Sequence, residues 1–334
     1  MAELVFVGCY TGEAGNGTGI TTFSRSSSGD LTEVASLPLE SPSWLVRHPS
    51  LPVLYAANET ATGFVTALSL SPSGSLSVLG AIETGGAHPC HLAVTPDGRF
   101  LLCANYTGGS LAVFSLSPSG ALVSRTALVQ HTGSGPDPDR QEAAHVHMAV
   151  PSADSTVVSA VDLGTDEIRS YTLSSDGLLE PLAVSALPPG TGPRQLVRRP
   201  GTDLAYVVGE LAGTLVTVRE TSPGAFDVVA VTPSTLSPVT PNLVAHLELA
   251  GSRMYVSNRG PDCVTEFALD DAAAVSDQPS GANPRHFALV DGLCYVAAQS
   301  DDAVTAFTLT ASGDAELRRY PAGSPTFVLP VSLP

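Results

Sequence analysis

The chain repeats a short phrase: an apolar or aromatic strand end, a polar turn, then one glycine. It reads FSRSSSG at 23–29, LSLSPSG at 68–74, FSLSPSG at 114–120, YTLSSDG at 171–177, VTVRETSPG at 216–224 and FTLTASG at 307–313. The glycines at 29, 74, 120, 177, 224 and 313 are spaced by 45, 46, 57, 47 and 89 residues. The last gap is close to twice the others, which predicts a seventh copy that has lost its glycine, near Phe267 to Asp271. Periodicity of this length belongs to modules that bury a core only against their neighbours. Seven such units account for nearly all 334 residues, so the expectation is a single domain over 1–334.

The unit at 89–128 shows what one module is. HLAVTP is a short alternating run, DG a turn, RFLLCANY a second run, TGG a turn, SLAVFSL a third, SPSG a turn and ALVSRTAL a fourth. Short β-favouring runs separated by Gly, Pro, Asp and Ser are hairpin signals, and no segment sustains a helical apolar period. Seven modules of four antiparallel strands predict an all-β, seven-bladed β-propeller. Three strands lie at the start of the chain (around 3–8, 18–24 and 31–37) and one, SPTFVLPV, at 324–331. One blade is therefore expected to close by pairing the two termini, which removes an open seam.

Composition narrows the function. Charge is −17, which argues against nucleic-acid and anionic-membrane partners, since both need concentrated basic residues. All 15 basic residues are arginine, which excludes Schiff-base and Walker-type lysine chemistry. The start of the chain, ELVFVGCYT, has neither a basic segment nor a long apolar one, and nothing approaches a membrane span, so a cytoplasmic location is expected. Five cysteines without CxxC spacing read as free buried thiols. No HExxH, cysteine cluster, acidic Ca²⁺ loop or G-x-S-x-G elbow is present, and the Gly15-Gly17-Gly19 run lies between strands, so no metal or other cofactor is expected.

Aligning first strands places Trp44, His91, His147, Gln195, His246, His286 and Phe327 in one slot. Second strands end at Asn58-Glu59, Asn105-Tyr106, Asp162-Leu163, Gly209-Glu210, Asn258-Arg259 and Ala298-Gln299. The start of one strand and the end of its antiparallel neighbour share a face, so both sets ring one mouth of a central channel. The polar candidates there are His91, His147, His246, His286, Arg194, Arg259, Arg285, Glu210 and Asp162. Arginines gathered in an acidic chain suit an anionic small molecule, and a carboxylate or imidazole beside them could act on a water. The bland alternatives are hydrogen-bonded histidines at blade starts, a Glu210–Arg194 salt bridge, and Asx turns at Asp162, Asn58 and Asn105. The gap of 57 carries an insertion at 130–145, which reads as a lid over the mouth.

The chain resembles the seven-bladed lactonases, a family that includes propeller-type 6-phosphogluconolactonases and a fungal-type carboxymuconate cyclase. The segments that carry the resemblance are PCHLAVTPDGRFLLCANYTGGSLAVF (89–114), HTGSGPDPDRQEAAHVHMAVP (131–151), VDLGTDEI (161–168), GPRQLVRRP and AYVVGELAGTL within 192–215, MYVSNRGPD (254–262) and NPRHFAL (283–289). The resemblance implies a catalytic His147, Arg194, Glu210 and Arg259. It departs at Gln195, where the family usually has His, and at AAHVH.

The resulting expectation is hydrolysis of a sugar-acid lactone, most simply 6-phosphogluconolactone. Arg194, Arg259 and Arg285 would bind the anion and polarise the carbonyl, and Glu210 or His147 would activate water. His91, His246, His286 and Asp162 would complete the binding surface. The alternatives are a carboxymuconate-type lactonizing cycloisomerase and a non-catalytic propeller that binds a protein or metabolite. Oligomeric state is not legible in the sequence.

Overall fold

The computed structural model describes residues 3–237, 239–309 and 316–333, so Gly313 of the sixth phrase lies outside it. Twenty-eight strands among these residues form seven four-stranded antiparallel sheets. Blades 1 to 6 follow in chain order over 42–83, 89–130, 146–186, 193–233, 243–279 and 284–321. Blade 7 combines Glu3–Cys9, Gly19–Arg25 and Leu31–Pro38 with the last strand, Pro325–Ser332. That last strand pairs antiparallel with the first, from Glu3 opposite Ser332 to Cys9 opposite Pro325. The ring therefore has no open seam, as expected from the repeat.

First strands of adjacent blades touch one another and surround the axis. Second strands such as Val53–Asn58, Phe100–Asn105 and Leu293–Ala298 are buried along their whole length because a blade covers each of their faces. Fourth strands such as Leu122–Gln130 face solvent. There is no central core. Seven apolar clusters lie one between each pair of neighbouring blades, as between Tyr55 and Phe114 or between Val207 and Ile168. Stability is then a chain of nearest-neighbour terms closed into a circle.

The repeated glycine sits in the turn between third and fourth strands. Gly29, Gly74, Gly120, Gly177 and Gly224 all have left-handed φ, between +74° and +86°. The missing seventh turn is present one residue beyond the expected window, with Ala272 at φ +52° and Ala268 N–H donating to Ala273 O. These turns also lock blades together. Tyr295 of blade 6 donates to Gly29 O (2.6 Å), Tyr55 to Gly120 O (2.7 Å), Thr126 to Gly177 O (2.8 Å) and Tyr206 to Leu269 O (3.1 Å).

A Cβ on Gly29 would overlap Leu293 Cδ1 and lie 2.9 Å from the Tyr295 hydroxyl, whereas one on Gly251 (φ +59°) meets nothing within 4 Å. Gly29→Ala is expected to cost about 2–4 kcal/mol, combining left-handed strain with overpacking. Gly251→Ala should cost only about 1 kcal/mol from strain. Urea midpoints compare the two; equal losses would show that the inter-blade contact is energetically silent.

Candidate active site at one mouth of the channel

A shared backbone device builds the site. Five first strands begin with proline, which has no N–H to give the ladder. Just after the first residue the register slips, as at Pro42/Trp44, Pro89/His91, Val146/Met148, Pro193/Gln195 and Pro284/His286. The bulge separates two rings that the sequence alone merges. The first residue skipped in each blade lies on an outer rim: Ser43, Cys90, His147, Arg194, Ala245 (where His246 is skipped too), Arg285 and Thr326. The next residues form an inner ring: Trp44, His91, Met148, Gln195, His246, His286 and Phe327.

His147 thus does not share the slot of His91, His246 and His286. Val146 pairs with Asp162 as Pro89 pairs with Asn105, so Met148 fills the inner position. The bulge puts His147 on the rim with Arg194 and Arg285. A third ring comes from the ends of the second strands: Tyr10, Glu59, Tyr106, Leu163, Glu210 and Gln299 just after them, and Arg259 as the last residue of Arg253–Arg259.

The structure brings His147, Arg194, Glu210 and Arg259 together. Arg194 Nη1 donates to His147 Nε2 at 2.6 Å and to Glu210 Oε2 at 2.7 Å, while its Nε donates to Ala245 O at 2.8 Å. Arg259 Nη2 lies 3.1 Å from the same Glu210 oxygen without an aligned hydrogen bond, and Arg259 Nε donates to Leu243 O. The other oxygen, Glu210 Oε1, accepts from Arg140 Nη2 at 2.9 Å; Arg140 also donates to Tyr106 OH. The Glu210 side chain is only 3% exposed. Burial disfavours its charge, but the charges of Arg259, Arg194 and Arg140 outweigh burial and hold the carboxyl well below 4.5. Burial, then the Arg194 charge, pushes the His147 imidazole well below 6.5, so it is neutral at pH 7. Burial and repulsion from Arg194 and Arg285 draw Arg259 down to about 9 against the pull of Glu210, leaving it protonated at pH 7.

Across the mouth stands a second group. Arg285 Nη2 donates to Tyr10 OH at 2.8 Å, its guanidinium lies 5.0 Å from the Tyr10 ring centre, and Tyr10 OH donates to Glu59 Oε1 at 2.9 Å. Cys90 sits between the two groups, its sulfur 3.8 Å from His147 Nδ1. Burial, then the Glu59 charge, pushes the thiol well above 9, so it is not a thiolate.

His91, His246 and His286 have a different job from the binding role expected of them. The inner ring fills the channel beneath the rim: Trp44 packs 4.4 Å from His91 and 4.3 Å from Phe327, and His286 3.8 Å from both His246 and Phe327. Its members also stitch blades together. Leu247 N–H donates to Gln195 Oε1 at 2.6 Å, Val328 N–H to His286 Nδ1 at 3.4 Å, and Trp44 Nε1 to Leu92 O at 3.1 Å. Burial holds His91 and His246 down to about 3 and His286 well below 6.5, with the Arg194 charge adding to each. A void of about 10 Å³ remains among Trp44, His91, His147, Arg194, Gln195 and His246, enough for about one water.

Asp162 likewise does not face the mouth. It is wholly buried, and its oxygens accept from His131 Nδ1 (2.7 Å), His145 N–H (2.8 Å) and Gly164 N–H (3.0 Å). It anchors the insertion, together with the Tyr171 hydroxyl on His131 and Gln141 Nε2 on Leu163 O. The insertion expected as a lid is a pinned wall that delivers Arg140 to Glu210. Asn58 and Asn105 bond Thr66 and Ser110 of their own blades.

Sequence reasoning missed Arg140, Tyr10 and Cys90. The register that selected Arg194 and Arg285 also selects Cys90, and counting the split blade yields Tyr10. Nothing in the repeat points to Arg140. Among the described residues no three His, Cys, Asp or Glu side chains converge in a group that could hold a metal ion.

Known proteins place the chain. A family model described as "Lactonase, 7-bladed beta-propeller" matches residues 4–330. A 6-phosphogluconolactonase of Bacillus subtilis is 31% identical over 273 residues, covering 79% of this chain and 77% of the relative. A 6-phosphogluconolactonase of Formosa agariphila is 28% identical, with 85% and 86% covered. The structure of a periplasmic gluconolactonase of Pseudomonas aeruginosa superposes with a TM-score of 0.92 at 28% identity, over 100% of both chains. With its seven blades and closed ring, the chain belongs to the seven-bladed β-propeller lactonase family.

Proposed function

We propose that this protein hydrolyses a sugar-acid lactone, and that its substrate is 6-phosphogluconolactone, opened to 6-phosphogluconate. The observation that carries the reading is the gathering of Arg194, Arg259 and Arg140 on one buried carboxylate, facing Arg285 across the mouth. Four guanidinium groups against Glu210 and Glu59 leave the rim two charges positive on a chain of −17. That is a local attraction for a phosphorylated substrate. The names of the Bacillus subtilis and Formosa agariphila relatives support the phosphorylated sugar.

In this reading Glu210 is a positioning residue. It holds Arg194 and Arg259 in place, so that Arg194 Nη2, which makes no hydrogen bond among the described residues, meets the lactone carbonyl. As water adds, charge builds on that oxygen, and fixed donors already in place stabilise it without reorganising. Arg285, aligned by Tyr10 on the far side, is the cation for the phosphate, which guanidinium grips bidentately. The inner ring closes the channel below, so substrate enters and leaves from the rim.

The test is a panel: 6-phosphogluconolactone, gluconolactone and a muconolactone, each with and without chelator and corrected for spontaneous hydrolysis. The expected result is hydrolysis of the phosphorylated lactone at least tenfold better in kcat/KM than of gluconolactone. Arg194→Ala should lower kcat by about 10²–10³-fold, the typical loss of one oxyanion donor. Equal rates on both sugars would remove the phosphate assignment, and conversion of the muconolactone alone would favour the cycloisomerase.

A further inference from the structure

We propose that Glu59, held by Tyr10 and facing Arg285, is the general base that activates the hydrolytic water; this rests on the hydrolase reading above. The two groups expected to do so are already committed. Both Glu210 oxygens are occupied by arginines, Oε1 by Arg140 and Oε2 by Arg194 and Arg259, and the side chain is sealed from solvent. His147 accepts Arg194 at Nε2, so its single proton sits on Nδ1, toward Cys90, and it has no lone pair to offer.

Glu59 differs in each respect. It follows the second strand of blade 1, Val53–Asn58, at the register position that Glu210 holds in blade 4. Its backbone is fixed by its N–H on Ser41 O at 2.9 Å. Its carboxylate is half-buried and among the described residues accepts one hydrogen bond, from Tyr10 OH to Oε1, which leaves Oε2 open. Tyr10 in turn receives Arg285, so a relay orients the carboxylate without an arginine on it. The groups coupled to it electrostatically are Tyr10 from blade 7, Arg285 from blade 6 and Cys90 from blade 2, and Arg194 beyond them couples to Tyr10 and Cys90. The backbone N–H of His88 donates to Thr60 O, the residue after Glu59.

The step balances with water alone. Water oxygen bonds to the lactone carbonyl carbon while one of its protons passes to Glu59. The carbonyl electron pair moves onto oxygen, and Arg194 donates a hydrogen bond to the oxyanion so formed. Collapse of the adduct breaks the ring C–O bond, and the departing ring oxygen takes the proton back from Glu59. One lactone and one water give one hydroxy acid.

The experiment compares wild type, Glu59→Gln, Glu59→Ala and Tyr10→Phe on whichever lactone of the panel the wild type hydrolyses. Glu59→Gln should lower kcat by about 10²–10⁴-fold, the usual range for a general base, with KM within about threefold and an unchanged unfolding midpoint. Added formate should partly restore Glu59→Ala. Tyr10→Phe, which keeps the ring and loses only the donor, should lower kcat by a smaller factor and serves if the Glu59 variants fold poorly. An active wild type with Glu59→Gln within threefold of it, or with no rescue of Glu59→Ala by formate, overturns this assignment and leaves the hydrolase standing. A wild type inert on every lactone overturns both.

Discussion

Replacing Glu210 with glutamine is expected to destabilise the protein by about 3–5 kcal/mol, the range for removing one partner of a buried ion pair. The reason lies in what surrounds it. Arg194 and Arg259 sit within 3.1 Å of one oxygen and Arg140 within 2.9 Å of the other, with the first two arginines nearly as sealed from solvent as the carboxylate. An amide of the same shape can still accept hydrogen bonds, but it leaves three guanidinium charges facing one another in a poorly hydrated space. The same substitution should reduce kcat/KM by at least the loss predicted for Arg194→Ala, because Arg194 depends on Glu210 for its position. Urea unfolding and steady-state kinetics on one preparation test both. A variant of wild-type stability would mean that the arginines relax into solvent and that Glu210 does not organise them. Because the Glu210 pKa is depressed, its contribution is fully present above pH 4.5 and is lost as pH falls through its folded-state value.

The second large effect is acid lability well before that point. His91, His246 and His286 are held neutral by burial. An unfolded histidine takes up its proton near pH 6.5, whereas these cannot while folded. Between pH 6.5 and about 3 the unfolded chain therefore binds more protons, and stability falls as pH falls. Each buried histidine contributes about 1.4 kcal/mol per pH unit in that window. His147 behaves as these three do, while Glu248, which burial raises to about 7, opposes one of the four, so the net slope is about 4 kcal/mol per unit once pH is well below 6.5. Comparison of urea midpoints at pH 7 and pH 5 should show a steep loss. His246→Gln copies what Gln195 already does in the same ring, where its side chain bonds Leu247. It should remove about a third of the pH-dependent loss, and an unchanged loss would sink the explanation.

Much of this was legible in the sequence, for physical reasons that can be named. Left-handed turns favour glycine, so the phrase reported the blade count and even the missing copy, where Ala272 now takes the strained φ. Proline marks strand starts because it cannot donate to a ladder, and the Pro-Arg pairs at 193–194 and 284–285 thereby put Arg194 and Arg285 on one rim. His147 was assigned to the right mouth but the wrong ring. Its local sequence, His-Met-Ala-Val, imitates His91-Leu-Ala-Val, and only the pairing of Val146 with Asp162 shows the one-residue offset. Arg140 was invisible because an insertion has no counterpart in other blades to give it a register. Asp162 looked like a rim carboxylate because its strand position matches Asn105; its side chain turns instead to the backbone of the insertion.

The split blade sets the order in which this protein becomes complete during synthesis. Arg194, Glu210 and Arg259 are all in place once blades 4 and 5 have formed. Tyr10, which arms Glu59 and Arg285, follows a strand made before blade 1 but left without its inner partner until Pro325–Ser332 has been made and paired. Its own N–H is held by Ser324 O, the residue just before that closing strand. One half of the mouth is thus assembled progressively and the other half at a stroke, with the final strand. A chain still emerging from the ribosome can bring Arg194 and Arg259 onto Glu210 before Tyr10 can meet Arg285 and Glu59.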